Sequence, residues 1–352
     1  MNPTYSLKDL GWSANFLGQL ELDEIETLRP SRVTAVQRDR VAVLSEAGSD
    51  LLELPPGLSA GAVAVGDWVL ADPKTLRITR VLDRKSRITR RAAGEASVEQ
   101  LIVANVDTVF LVTSCNADFN EARLERFLAL AHAGGIPPVI LLTKADKTDA
   151  PEDYLDRARK VAPLVPTIPL NAKDPSAVAI LRDWCGPGQT VAFLGTSGVG
   201  KSTLISALIG RELDTGEIRE DDAKGRHTTT ARELFPLPGG GWVIDTPGMR
   251  ELRLSDMAEG IDEAFAEITD LIPQCRFSDC NHDREPGCAV QTAIAAGQID
   301  PDRLTRWQKL KREDAQHTAS QAELRKRAKA TGRMHKAVKK LKSKTNRDDD
   351  RR

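Results

Sequence analysis

Aromatic residues are scarce in this sequence: Phe, Trp and Tyr make up 4% of its 352 positions, so the core must be mostly aliphatic. No apolar run approaches the roughly 20 residues needed to span a bilayer. The opening MNPTYSLKDLGW lacks the basic-then-apolar order of a secretory signal. These absences make the cytoplasm the expected compartment and argue against a membrane partner. Net charge is nearly absent too, at −1, and by itself points to no partner. The cysteines number only five, an odd count that argues against a disulfide framework, and three of them fall within Cys275–Cys288. Cys115 ends an apolar run and Cys185 follows Trp184, which places both in the expected core.

What is present divides the chain. A hydrophobic content of 40% supports a sizeable core, and the length suits more than one domain. Residues 1–31 are polar and acidic and read as an N-terminal extension. Over residues 32–92 short alternating runs such as RVAVLSE and AVGDWVLAD are broken by Gly, Pro and Asp. That pattern predicts a small OB-like β-barrel, a fold that often binds oligonucleotides; a plain β domain is the alternative. Arg80, Arg84, Lys85, Arg87, Arg90 and Arg91 favour the nucleic-acid reading. Over residues 98–254 strands alternate with helices, which predicts a mostly parallel sheet with helices on both faces. Residues 255–300 turn helical and carry the cysteines, and residues 301–352 are helical and basic. From Arg303 to Lys344 there are 15 Lys or Arg against 3 acids, a net of +12. Such a block fits nucleic acid, with a merely solvated helix face as the alternative.

The most specific motif is Gly195-Thr196-Ser197-Gly198-Val199-Gly200-Lys201-Ser202, a G-x-x-x-x-G-K-[ST] phosphate loop. Its glycines let backbone N–H groups wrap phosphates, Lys201 reaches the β- and γ-phosphates, and the Ser202 hydroxyl ligates magnesium. An apolar strand precedes the loop, and the helix that opens at Thr203 adds its positive end. Downstream, the strand Val243–Asp245 leads into Thr246-Pro247-Gly248. Asp245 is suited to hold hydrated magnesium, and the Gly248 N–H to sense the γ-phosphate. Between them lies Arg226-His227-Thr228-Thr229-Thr230, a polar stretch suited to a switch loop. One of its threonines is expected to complete the magnesium shell, and spacing does not choose among them.

A second constellation reads the base. Thr143-Lys144-Ala145-Asp146 closes an apolar strand and has the form [NT]-K-x-D. Guanine presents two adjacent N–H donors, and the Asp146 carboxylate can accept both, whereas adenine offers no such pair. The Lys144 stem would lie over the base. Asn171-Ala172-Lys173 resembles the second base loop of GTPases. The order is informative, because the base motif precedes the phosphate loop, the reverse of the common arrangement. Thus the module resembles a circularly permuted GTPase, with GTP and GDP as ligands.

Cys275, Cys280, His282 and Cys288 form C-x4-C-x-H-x5-C. Three thiolates and one imidazole suit a closed, tetrahedral structural zinc site. Asp283 and Glu285 lie close but are surplus to ligation.

An OB-like barrel, a permuted GTPase module and a Cys/His cluster in that order resemble the RsgA family of ribosome small-subunit-dependent GTPases. Ala104-Asn105-Val106-Asp107, Gly225-Arg226-His227-Thr228-Thr229 and the run from Asp245 to Leu252 add to the likeness. The resemblance implies GTP hydrolysis with magnesium, one structural zinc, and a partner in the small ribosomal subunit and its rRNA. It further implies action late in assembly, with hydrolysis releasing the factor. A monomer is expected. Thr143 departs from the commoner Asn at its position. Met249 stands where many GTPases carry a water-orienting Gln, so intrinsic turnover is expected to be slow. His227 is the candidate to position water beside the catalytic Lys201 and Asp245, with a solvated loop histidine as the alternative.

Overall fold

The computed structural model describes residues 5–91, 99–210, 232–245, 257–316 and 318. Two short helices, α1 (Ala14–Leu17) and α2 (Leu22–Thr27), come first. The polar extension expected over residues 1–31 carries a core function. Leu10 and Phe16 are fully buried, and Trp12 stacks edge-on against Trp68 at 4.8 Å. Tyr5 meets Trp242 at 5.0 Å, and the Trp242 indole donates to the Asp9 carbonyl at 2.7 Å. Much of the aromatic content is thus spent where the N-terminal segment seals the barrel to the next domain.

The barrel is built from β1 (Arg29–Val36), β2 (Arg40–Ser45), β3 (Gly48–Glu53), β4 (Trp68–Asp72) and β5 (Arg77–Val81). Its strand order β1-β2-β3-β5-β4 closes through antiparallel pairing of β1 with β4. Val33, Val41, Val43, Leu52, Val69 and Ile78 fill the interior. The alternating sequence of β2 points Val41 and Val43 inward, as the period of two requires.

A two-stranded ribbon follows, β6 (Arg87–Arg91) with β7 (Glu99–Ala104). Then comes the α/β domain: β8 (Thr108–Ser114), α3 (Glu121–Ala133), β9 (Pro138–Thr143), α4 (Pro151–Val161), β10 (Thr167–Pro169), α5 (Pro175–Ile180), β11 (Thr190–Gly195), α6 (Lys201–Ile209), β12 (Glu233–Pro236) and β13 (Trp242–Asp245). Strands β10-β9-β8-β11-β13 are parallel and β12 is antiparallel. Alternate residues of β8 face opposite layers. Val109 and Leu111 pack with Leu124 and Leu128 of α3, while Phe110 and Val112 join the cluster holding Leu204 and Leu208 of α6. Continuous apolar strands are what burial on both faces demands. Barrel and domain share one sheet, because β12 pairs with β1 at Glu233 and Ala35.

The C-terminal part contains α7 (Ala258–Ala264), α8 (Ala266–Thr269) and α9 (Ala289–Ala295), and residues 301–316 are helical. Helix α7 lies tightly on α3. A Cβ at Gly260 would sit 2.2 Å from the Ala129 carbonyl oxygen, so only glycine permits this approach. The basic helix is not a freely solvated face. Glu125 of α3 is fully buried and binds Arg303 Nη1 at 2.9 Å and Arg306 Nε at 2.8 Å. Arg303 also pairs with Glu267, donates to the Ala264 carbonyl at 2.9 Å and lies 4.6 Å over the Phe265 ring. Lys311 pairs with Asp262 at 2.7 Å. Several charges that made residues 303–344 look like a nucleic-acid surface are therefore committed inside the molecule.

The same holds for part of the barrel's basic run. Arg84 grips the buried Asp67 carboxylate through two N–H groups at 2.6 and 2.7 Å. Arg80 pairs with Glu24 at 2.7 Å and Lys85 with Asp107 at 2.5 Å.

Candidate active site and metal centre

The phosphate loop grows from the most buried strand of the sheet, since every residue of β11 is inaccessible. At its end the backbone passes so close to β8 that a Cβ on Gly195 would lie 2.4 Å from the Val112 carbonyl oxygen. The loop then turns through Gly198 and Gly200 at φ of +79° and +99°, a region that strains any residue with a Cβ. Val199 is buried between these glycines and pins the loop to the core. Helix α6 starts at Lys201, so its free N–H groups and positive end face the loop. The Lys201 ammonium donates to the Thr196 carbonyl at 2.6 Å, spanning the mouth of the loop. Ser202 and Thr203 are exposed on the first turn of α6, and Ser197 and Gly198 are exposed at the loop tip.

The base motif is brought to this loop by the parallel order of the sheet. Strand β9 is two strands away from β11, and β10 lies beyond it. All end on the same side, where ligands of such sheets bind. Thr143 is fully buried at the end of β9 and its hydroxyl lies 2.5 Å from the Val199 carbonyl oxygen and 3.1 Å from that of Thr113. A side chain of the base motif thus contacts the phosphate loop directly. Lys144 takes a left-handed φ of +57°, and Ala145, Asp146 and Lys147 form a single 3-10 turn. The Asp146 carboxylate lies 3.3 Å from the Lys147 ammonium. Asn171 closes its own turn by accepting the Lys173 N–H at 3.0 Å, and Ala172 faces Gly200. Asp245 ends β13, the neighbour of β11 on its other side. His227, Thr228–Thr230, Gly248 and Met249 lie outside the described residues.

The four candidate metal ligands converge. The Sγ atoms of Cys275, Cys280 and Cys288 and a ring nitrogen of His282 all lie within 4.8 Å of one another. His282 Nδ1 is 3.6 Å from Cys275 Sγ and 3.5 Å from Cys288 Sγ, and those two sulfurs are 3.9 Å apart. A tetrahedron with bonds of ~2.3 Å to sulfur and ~2.0 Å to nitrogen puts its ligand atoms roughly 3.5–3.8 Å apart. The donor set and its spacing therefore fit zinc. Burial lowers the His282 pKa and favours the neutral imidazole that a metal requires. By contrast, burial pushes the Cys115 thiol up to about 11 and that of Cys185 to about 12, which leaves both inert in the core.

Sequence reasoning gave Glu285 no part in this centre, yet it builds the loop. Its carboxylate accepts N–H groups from Asn281 and Asp283 at 2.9 Å and from Arg284 at 3.1 Å, which pulls its pKa down to about 2. The spacing of an acid inside a Cys/His knuckle was the available signal. Asn105 and Asp107, noted only for their likeness to a family, knit the domains together. Asn105 bonds the Gly66 carbonyl and the Lys85 N–H at 3.0 Å, and Asp107 accepts the Thr190 N–H at 2.8 Å.

The family model for the RsgA GTPase matches residues 81–255, which include both nucleotide motifs. A Mesorhizobium japonicum protein named small ribosomal subunit biogenesis GTPase RsgA is 53% identical over 321 residues, 90% of this chain and 92% of its own. The chain belongs to the RsgA GTPase family. A Vibrio vulnificus RsgA 2 is 46% identical over 335 residues, 95% of either chain. Among solved structures, YjeQ from Thermotoga maritima superposes with a TM-score of 0.59 at 29% identity, covering 80% of this chain and 97% of its own. YloQ, a circularly permuted GTPase, gives 0.60 at 22% identity over 83% and 96%. The fold is therefore the permuted GTPase that the order of motifs predicted, with the barrel that the alternating runs predicted before it. As an RsgA-family GTPase the chain is a GTP-hydrolysing enzyme. No helix among the described residues is long and apolar enough to cross a membrane.

Proposed function

We propose that this GTPase acts on the small ribosomal subunit late in its assembly, and that hydrolysis of GTP to GDP and phosphate drives its release. The reading rests on the names of its relatives, which are small ribosomal subunit biogenesis GTPases. The observation that carries the nucleotide assignment is the bond from Thr143 to Val199, which couples the base motif to the phosphate loop.

In this proposal the loop N–H groups from Gly195 to Ser202, with Thr203 behind them, bind the phosphates, and Lys201 stabilises charge on the transferred group. Asp146 accepts the two guanine donors, with Lys144, Asn171 and Ala172 lining the base. Ser202 and Asp245 hold magnesium, which when bound neutralises phosphate charge. Gly248 senses the γ-phosphate, and His227 positions the attacking water in place of the glutamine that Met249 replaces. Cys275, Cys280, His282 and Cys288 hold one structural zinc. The partner's rRNA is met by those basic side chains that the fold leaves unpaired, so binding should weaken steeply with salt. The protein works as a cytoplasmic monomer.

The test is GTP turnover by the purified protein, alone and with small or large subunits. Stimulation by small subunits alone is expected; equal rates in all three would overturn the ribosomal reading and leave the GTPase. His227→Ala should abolish the stimulation while GTP still binds, and unchanged stimulated turnover would remove His227 from the mechanism.

A further inference from the structure

An apolar groove of about 390 Å³ opens between the N-terminal segment and the barrel, lined among others by Leu7, Trp12, Leu17, Leu20, Ile25 and Leu28. Its edge is unusually apolar for a protein surface. Leu17 is 51% exposed, Ile25 49% and the neighbouring Leu22 83%, three large hydrophobic residues within nine positions. Large side chains exposed together mark an interaction surface rather than scattered surface residues. The lining is acidic, since the carboxylates Glu26 and Glu46 stand against the single base Arg29, and α2 beside it also carries Glu21, Asp23 and Glu24. Arg29 is occupied by Asp50 and Glu24 by Arg80. Asp23 and Glu26 enter no ion pair among the described residues. The site thus calls for a segment that offers an apolar stripe flanked by cations.

The chain itself carries such a segment beyond the described residues. From Ala319 to Lys344 there are 10 Lys or Arg and one acid, Glu323. Within it Met334, Val338 and Leu341 recur at intervals of four and three, the spacing that aligns side chains on one face of a helix. Lys336, Lys339, Lys340 and Lys342 surround that stripe. The 16 residues from Thr318 to Arg333 reach up to about 50 Å when extended. That is comparable to the breadth of a compact chain with a radius of gyration of ~20 Å. Tethering supplies an effective concentration on the order of millimolar, which a free partner has to outcompete.

We propose that in the free protein the C-terminal segment around Met334, Val338 and Leu341 docks intramolecularly in the acidic, apolar groove formed by Trp12, Leu17, Leu20 and Ile25. The docked state shields the apolar groove and neutralises its rim. It also withholds the basic tail from other anions until one competes for it.

The experiment uses the full-length protein and two substitution sets, read by tryptic cleavage within residues 325–344 and by deuterium exchange over residues 17–30. Leu22→Asp with Ile25→Asp alters one exposed side chain of the groove and one beside it, and unchanged GTP turnover verifies that the fold is intact. Met334→Asp with Val338→Asp and Leu341→Asp removes the stripe without touching the described core. We expect the first set to speed cleavage of the tail about tenfold, because cleavage follows the undocked population. The second set should raise exchange over residues 17–30 by a similar factor. Unchanged exchange in the second set, or unchanged cleavage in the first, overturns the proposal. So does protection that disappears on dilution, which would assign the groove to a second copy of the chain.

Discussion

The hydroxyl of Thr143 lies 2.5 Å from the carbonyl oxygen of Val199, joining the base motif to the phosphate loop across two strands of the sheet. Both groups are buried, so this bond has no water to replace it. Thr143→Val keeps the shape and removes the donor, leaving a buried acceptor unpaired at a cost of about 1–3 kcal/mol. We expect guanine-nucleotide affinity to fall roughly 5- to 100-fold, measured by titration calorimetry. Thr143→Asn restores a donor and should retain most of the affinity.

Gly260 lies where α7 crosses α3, and a Cβ there would meet the Ala129 carbonyl oxygen at 2.2 Å and the Ala133 nitrogen at 2.5 Å. Helix propensity alone would favour alanine. Packing outweighs it, and Gly260→Ala should destabilise the protein by about 2–4 kcal/mol. Denaturant unfolding would measure this, with Gly61→Ala as a control at a site where a Cβ would meet nothing nearer than Ser59 Oγ at 3.8 Å and φ is not positive.

Glu125 anchors both Arg303 and Arg306 inside the molecule. Removing one partner of a buried ion pair leaves the other charge uncompensated, at a cost of about 3–5 kcal/mol. Glu125→Leu should therefore lower stability far more than loss of the exposed pair Arg77–Glu53, which is expected to be worth less than about 1 kcal/mol. Thermal unfolding of Glu125→Leu and Glu53→Gln would give the comparison.

The metal centre predicts one zinc per chain, measured by elemental analysis of the purified protein. Cys280→Ser should weaken zinc binding by more than about 100-fold, followed by release to a chromogenic chelator. Cys288→Ala should cost more stability than Cys280→Ala, because the Cys288 sulfur also accepts the Gln291 N–H at 3.4 Å and caps α9, an acceptor that alanine lacks. Equal effects would deny the capping role.

The sequence alone was enough to identify the nucleotide chemistry and its order. A phosphate loop needs glycines at fixed spacing because of backbone geometry, and Gly198 and Gly200 take the positive φ that this requires. The cysteine spacing likewise pointed to the candidate metal ligands, which the fold brings within 4.8 Å of one another, because a tetrahedron admits few chain paths. These are local constraints, so they leave local signatures. The charges were another matter. Arg84, Arg303 and Arg306 read as cations for a partner, yet each finds a carboxylate 17 to 181 positions away in the chain. Phe16 and Leu10, in a segment that looked like a polar extension, fill the core because Trp68 and Trp242 come to meet them. Whether a charge is solvated or paired depends on what the fold sets beside it. Only the tertiary structure decides that, since the partners are remote in sequence and carry no periodic mark.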